Sequence, residues 1–467
     1  MPGDPNNQTR LSAQTSSALR AAGQPNAYIP AKTVLQTNHL TSNWFRSSLF
    51  NCTPKTAATL PTSPHSRYTE FVPAISFTDA RATVLREIRA TAPPPAVESV
   101  DLAASANRIL AEDILADRDY PPFHRSTRDG FAVRAADIPG RVRLIGEVRA
   151  GQTFSGALQN REAVEIMTGA PIPEGADAVV MVEHCVRHDD GTVSTDQTHQ
   201  TGDNISPRGS EAHNGSVILP RGTRLDHTAI ACLASVGQTS IPVFAKPRVA
   251  ILPTGDEIVD VASVPSANQI RNSNAWSLAA QVERAGGEPF VLPIAGDTLS
   301  HTRHRIRQGT SFDLLLLSGG VSAGKYDVVE PALAELGAEF FFDRVLIQPG
   351  QPVVFGKARY KFFFGLPGNP VSTTVTFELF ARAAIAILSG ATDTDLPFAL
   401  ARLTQPFHHR PGMTRFFPAA VRGAEVTPVA WKGSGDIPAL CRANAFLVAD
   451  PDRADYAAGD MISILFK

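Results

Sequence analysis

The sequence is poor in cysteine, in net charge and in long apolar runs. Four cysteines occur in 467 residues, Cys52, Cys185, Cys232 and Cys441. They lie far apart and form no metal-type CxxC pair. They suit a reducing compartment, where each packs as a small side chain, and a cytoplasmic location is expected. Lys and Arg number 43 against 45 Asp and Glu, a formal charge of −2. With no global basic field, nucleic acid is not a favoured partner. No apolar run approaches the roughly 20 residues that cross a bilayer, so no membrane span is expected. What remains, 43% hydrophobic and 19% charged residues, fits a soluble chain of two to four domains.

Residues 1–70 also lack acid, since Asp4 and Glu70 are the only two. The stretch is rich in Ser, Thr, Asn, Ala and Pro, and its periodicity is weak. Disorder is the plain reading, ahead of an organellar transit peptide, because no amphipathic face is clear. Folded structure is expected from Phe71, with Thr78 capping a helix that runs through Arg89. Residues 71–118 and 209–245 read as a mixed linking domain around a small β-rich domain at 119–208. Asp129-Gly130 reads there as a turn signal. Residues 246–395 alternate strand and helix, which implies a parallel sheet with covering helices. Residues 396–467 return to β-like runs punctuated by Gly and Pro.

The stretch DLLLLSGGVSAGKYD, Asp313 to Asp327, organises the α/β part. Four leucines read as a strand buried on both faces. Gly319 and Gly320 then bend the backbone and leave its amides uncovered. Taken alone, this is an ordinary Gly-rich strand-to-loop junction. Two further loops, TGDE (254–257) and LPGNPVS (366–372), fall at other expected strand ends, where open α/β sheets bind ligands. Ser318, Ser322, Lys325 and Asp327 would lie at the mouth of the crevice. The third loop leads into a helix N-terminus suited to a phosphate. Asp256, Glu257, Asp297 and Asp327 would gather beside it. Each is a cap or solvated loop residue on its own, but together they suit a magnesium ion between carboxylates and phosphate.

Several motifs then occur in one order: DRDYPPFHRSTRDGFAVRAAD, IMTGAPIPEGADAVVMVE, TGDEI, QIRNSN, LLLLSGGVSAGKYD and GLPGNPVS. In this the chain resembles the molybdopterin molybdenumtransferase family, the MoeA and gephyrin E-domain proteins, over roughly residues 75–467. The resemblance implies a multidomain α/β fold. Its parts are a molybdopterin-binding sheet domain with helices on both faces, a small β-rich domain, a mixed linking domain and a C-terminal β-barrel-like domain. It implies a homodimer with sites between subunits, and molybdopterin adenylyltransferase and molybdoenzymes as partners. The implied reaction inserts molybdenum from molybdate into adenylylated molybdopterin, with AMP released and Mg2+ assisting. The family's catalytic positions fall on Asp129, Thr168, Glu257, Asp297 and Asp327, of which Glu257, Asp297 and Asp327 would hold the metal. Cofactor-binding positions fall on Ser318, Gly319, Gly320, Ser322, Gly368, Asn369 and Ser372, and on Gln348 and Gln351.

Those two glutamines are departures, because the family's KPGKP loop here reads Gln348-Pro349-Gly350-Gln351-Pro352. Glutamine hydrogen-bonds an oxyanion without offsetting its charge, so anion binding should weaken unless Lys325, Arg344 or Lys357 compensates. Arg128 beside Asp129 is a second departure. Ser206 is a third, standing where some relatives carry arginine, although Arg208 is near. The leading expectation is an active molybdenum insertase. The alternative is a paralogue that binds molybdopterin or its metal-bearing form without inserting metal. Nothing argues for scaffolding, since no fused partner domain is present.

Overall fold

The computed structural model describes residues 74–320 and 328–467. The expected leader, together with Ser322, Lys325 and Asp327, lies outside the described residues.

The four-leucine run forms the strand Leu314–Ser318 near the middle of a six-stranded sheet. Across the sheet the order is Glu288–Val291, Arg248–Pro253, Leu314–Ser318, Lys361–Leu366, Val354–Ala358, Glu339–Phe342. The first four strands run parallel, Val354–Ala358 runs against them, and Glu339–Phe342 pairs antiparallel with it, so the sheet is mixed rather than wholly parallel. The cause is a two-residue link. Arg359 and Tyr360, at φ 49° and 68°, join Ala358 directly to its partner Lys361. Two residues with positive φ make a hairpin turn, which joins only antiparallel strands.

Alternation along the strands separates two cores. Leu314 and Leu316 face the same side as Val249, Ile251, Phe362 and Phe364, under the helices Phe77–Thr91, Asn274–Ala285 and Arg382–Leu388. Leu315 and Leu317 face the other side with Ala250, Leu252 and Phe363, under Leu299–Gly309 and Val329–Glu335. Helix Phe77–Thr91 buries Ala80, Val84 and Ile88 at a four-residue spacing. Its cap is Ser76, whose Oγ accepts from Asp79 N at 3.1 Å, and not Thr78. The helical run Pro370–Leu388 carries a π-helical segment at Phe377–Ala381. At 19 residues it is long and apolar enough to cross a membrane, which the sequence reading missed. It is 83% buried and serves here as a core helix.

The C-terminal strands close into a five-stranded barrel. The order is Thr414–Arg422, Glu425–Pro428, Phe398–Leu403, Met461–Phe466, Ala445–Ala449, then back to Thr414–Arg422. Ile347–Gln348 adds to Thr414–Arg422 in parallel. A second curled sheet holds Gly130–Val133 between Ala178–Met181 and Glu162–Ile166. Gly130 therefore opens a strand and is not a turn residue. A Cβ there would come 1.9 Å from the Val180 carbonyl oxygen, so only glycine allows this pairing. The chain enters and leaves that sheet through Val97–Asp101 paired with Ser240–Phe244 and Ile114–Leu115 paired with Val217–Leu219.

Leu316 is fully buried at the centre of the larger core. Leu316→Ala should lower stability by about 2–5 kcal/mol, the usual loss for a leucine truncated in a packed core. A urea-midpoint shift worth less than about 1 kcal/mol would contradict the packing described.

Candidate active site

Three loops leave the carboxyl ends of adjacent parallel strands and are stitched together by backbone. Thr254 N donates to Ser318 O at 3.1 Å, and Gly319 N donates to Leu366 O at 3.0 Å. Gly319 and Gly320 have φ of 95° and 66°, a region that L side chains rarely adopt. A Cβ on Gly319 would lie 3.0 Å from Thr254 O, and one on Gly320 would lie 2.6 Å from a Val329 methyl. Opposite them, a Cβ on Gly368 would meet the Gly319 Cα at 3.6 Å. The result is a crevice with backbone walls. Asn274 braces it, with Nδ2 donating to Ser318 Oγ at 3.1 Å and to Gly368 O at 2.7 Å. Asn274 is the first residue of the helix Asn274–Ala285, whose start is also tied by Ala275 N donating to Asn272 Oδ1. The sequence reading quoted both asparagines in QIRNSN but gave neither a role.

The helix start at Asn369 offers an anion less than expected. Pro370 has no N–H, and Val371 N donates to Ser434 O of the C-terminal segment at 2.9 Å. Asn369 and Gly368 are exposed and Ser372 is buried.

Asp256 and Asp297 hold each other's loops. Asp256 N donates to Asp297 Oδ2 at 3.2 Å, and Asp297 N donates to Asp256 Oδ1 at 3.0 Å. His301 Nδ1 accepts from Gly296 N at 3.1 Å and fixes the same turn. Glu257 folds back over its own loop, since a Cβ on Gly255 would lie 2.4 Å from Glu257 Oε2. All three carboxylates are exposed. Among the described residues no three His, Cys, Asp or Glu side chains converge on one metal position. The set fits magnesium in its usual manner, through one or two carboxylates plus substrate phosphates, rather than in an all-protein cage.

The turn bearing the glutamines packs on the same helix. A Cβ on Gly350 would lie 2.4 Å from a Thr376 methyl and 3.7 Å from Ser372 O. Gln348 is exposed, and its register partner in the barrel is Arg415. Paired residues in parallel strands put their side chains on one face. Arg415 Nε is buried with no hydrogen-bond partner among the described residues, and burial, then Arg410, lowers the guanidinium's pKa. A cation missed in the sequence reading therefore stands beside Gln348. Lys357 does not, because it pairs with Phe362 and Glu339, towards the end of the sheet remote from Leu366.

Asp129 and Thr168 form a separate constellation on the small β-rich sheet. Asp129 Oδ1 accepts from Thr168 N at 2.6 Å and from Thr168 Oγ1 at 2.7 Å. The backbone amide first, then the hydroxyl, hold the exposed Asp129 carboxyl below the usual carboxylate range. Among the described residues, no hydrogen bond or ion pair links this pair to the strand-end loops. Arg208, the cation nearest in sequence to Ser206, is committed to Asp119 at 2.7 Å.

Comparison with known proteins agrees with this architecture. The model of the MoeA N-terminal region (domain I and II) matches residues 75–237. That of the probable molybdopterin binding domain matches residues 250–386, and that of the MoeA C-terminal region (domain IV) matches 400–466. The molybdopterin molybdenumtransferase of Bacillus subtilis is 38% identical over 384 residues, covering 79% of this chain and 89% of its own. The enzyme of that name from Haemophilus influenzae is 33% identical over 380 residues, covering 79% of this chain and 94% of its own. Among solved structures, the molybdopterin biosynthesis moeA protein of Pyrococcus horikoshii superposes with a TM-score of 0.70 at 27% identity. That superposition covers 84% of this chain and all of the other.

Removing the Thr168 hydroxyl should move Asp129 part of the way back towards an ordinary carboxyl, near about 3.9. A carboxyl held low stabilises the folded chain above its unfolded pKa, and that contribution is lost as pH falls through the folded value. Thr168→Ala should thus cost stability at neutral pH, and the difference should vanish in acid below both values. An NMR titration of the Asp129 carboxyl carbon that is identical in both proteins would contradict the geometry.

Proposed function

The chain belongs to the molybdopterin molybdenumtransferase family, a family of transferases in molybdenum cofactor biosynthesis, and on that premise we propose that it inserts molybdenum into adenylylated molybdopterin with release of AMP. The observation that carries the reading is the backbone-walled crevice at three strand ends, with carboxylates on one rim and Gln348 beside Arg415 on another. Uncovered backbone at Gly319, Gly320 and Gly368 lets a flat pterin and its phosphates approach more closely than side chains would allow. Ser318, Asn369 and Ser372 supply polar groups around that backbone, with Ser322 in the same loop. Glu257 and Asp297, with Asp327, are the residues to hold magnesium, which would polarise the phosphoanhydride when bound. The mutual bonds of Asp256 and Asp297 keep two of these loops in one place before substrate arrives.

Molybdate is read as substrate at Gln348 and Gln351. Arg415, the register partner of Gln348, offsets there only part of the positive charge that glutamine lacks. The separation of Asp129–Thr168 from the strand ends within one chain favours a homodimer in which the partner brings that pair to the crevice. We place this activity in the cytoplasm. A second reading, binding without insertion, is favoured by one observation, the two uncharged glutamines.

A charge-assisted hydrogen bond contributes about 1.5–3 kcal/mol, so one regained lysine should tighten an oxyanion about tenfold or more. Gln348→Lys with Gln351→Lys should lower the molybdate concentration for half-maximal insertion. The gain should shrink at high ionic strength, where charges in an open site are screened. No gain at low salt would show that Arg415 already fills the role. Failure of both proteins to insert molybdenum at any concentration would transfer the case to the binding reading.

A further inference from the structure

One cavity among the described residues lies away from the strand-end loops. It has a volume of about 600 Å³ and is lined by parts of the linking region, the sheet domain and the C-terminal tail. Helix Asn274–Ala285 has its first residue at the crevice and its last in the cavity wall. Twelve residues of helix span about 18 Å, so the two sites are distinct.

Cations outnumber acids around this cavity. Arg224, Arg284, Arg382 and Lys467 line it, against Glu378, Asp393 and Asp395. Arg81 and Arg89 adjoin, both donating to Thr394, another lining residue. Glu378 is 2% exposed, lies in the π-helical segment and is already committed. It is ion-paired with Arg284 and Arg382 and accepts from Gln281 Nε2 at 2.8 Å. Asp393 accepts from Asp395 N at 2.8 Å. The remaining cations bond to neutral oxygens. Arg224 Nη1 reaches Asn107 O at 3.2 Å, Arg81 Nη1 reaches Leu379 O at 2.7 Å, and Lys467 Nζ reaches Leu440 O at 2.8 Å.

Arg224 is the most telling of them. Its guanidinium lies over Gly286, where a Cβ would come 3.2 Å from Nη1 and the φ of 94° also favours glycine. Burial, then the nearby Arg382, lowers its pKa against the opposing Asp393, and the same two causes bring Arg81 to about 10 against Asp395. Asp393 offsets only part of the repulsion between these guanidiniums, and a further anion between them would offset more. The fork of N–H donors on arginine fits phosphate or carboxylate in a bidentate way.

We propose that this cavity binds a small multivalent oxyanion, a polyphosphate or polycarboxylate, between Arg224 and Arg382. The volume is that of an ordinary small-molecule pocket, for which about 300–1,000 Å³ is typical. An anion there would join residues 222–224 of the linking region to the helix Arg382–Leu388. It would also join both to residues 391–395, which lead into the barrel.

The test is calorimetric titration of the full chain with pyrophosphate, and separately with citrate, in low-salt buffer. One-to-one binding is expected, with tighter pyrophosphate indicating a polyphosphate site and tighter citrate a polycarboxylate site. Arg224→Gln breaks no ion pair among the described residues and should weaken binding about tenfold or more, the loss of one charge-assisted contact. Thr392→Glu places a carboxylate in the exposed wall opposite Gly222 and should weaken it similarly. If Arg224→Gln fails to fold, this second variant decides. Arg415→Gln, beside the strand-end crevice, should leave the affinity within about twofold. No binding by the unaltered chain at millimolar anion would overturn the proposal. So would loss of binding in Arg415→Gln alone, or unchanged binding in both cavity variants.

Discussion

The two bonds from Asn274 Nδ2, to Ser318 Oγ and Gly368 O, brace from one helix two loops that Gly319 N and Leu366 O already join through the backbone. They succeed because no side chain intervenes. Gly319 and Gly320 let the backbone press against Thr254, and a Cβ on Gly368 would already touch the Gly319 Cα at 3.6 Å. Asn274 itself is fixed by the helix it begins, and that helix buries Ala275, Leu278 and Val282 in the larger core. Position in the crevice is thus set by hydrophobic burial on one face of the sheet, transmitted through a single amide. The same helix ends beside Gly286, under the guanidinium of Arg224. One rigid element therefore places both the crevice and the basic cavity.

The carboxylates follow a different rule. Asp256 and Asp297 spend part of their hydrogen-bonding capacity on each other's amides, so their loops are ordered without a ligand. Both side chains are nonetheless exposed. A site with few protein ligands and pre-ordered loops is suited to a metal that arrives with its substrate. Asp129 is held by Thr168 in a comparable way, with its charge fixed by a backbone amide and a hydroxyl.

Much of this was legible in the sequence, for identifiable reasons. Four leucines ending in Ser-Gly-Gly announce a buried strand and an uncovered loop, and TGDE and LPGNPVS repeat that pattern at neighbouring strands. The antiparallel edge was not legible, because Arg359-Tyr360 makes its hairpin turn without the Asn or Gly that usually marks one. Asp129-Gly130 misled for the opposite reason. The glycine serves a close strand approach, a long-range cause that a dipeptide does not reveal. Ser76 took the cap expected of Thr78, a shift of the size by which helix ends are commonly misplaced. Arg415 was invisible as a neighbour of Gln348, since only the parallel pairing of Ile347–Gln348 with the barrel brings them together. The basic cavity left no local pattern either, because its arginines come from four separate segments.

On the function proposed above, adenylylated molybdopterin is cleaved in the backbone-walled crevice as molybdenum enters. Magnesium-dependent AMP release from that substrate, with molybdate present, measures it most directly in the unaltered chain and in Glu257→Ala. Glu257 is an exposed loop residue, so its removal opens no core cavity and the fold should persist. The account predicts release by the unaltered chain and its loss in a folded Glu257→Ala protein. Equal rates in the two would contradict it.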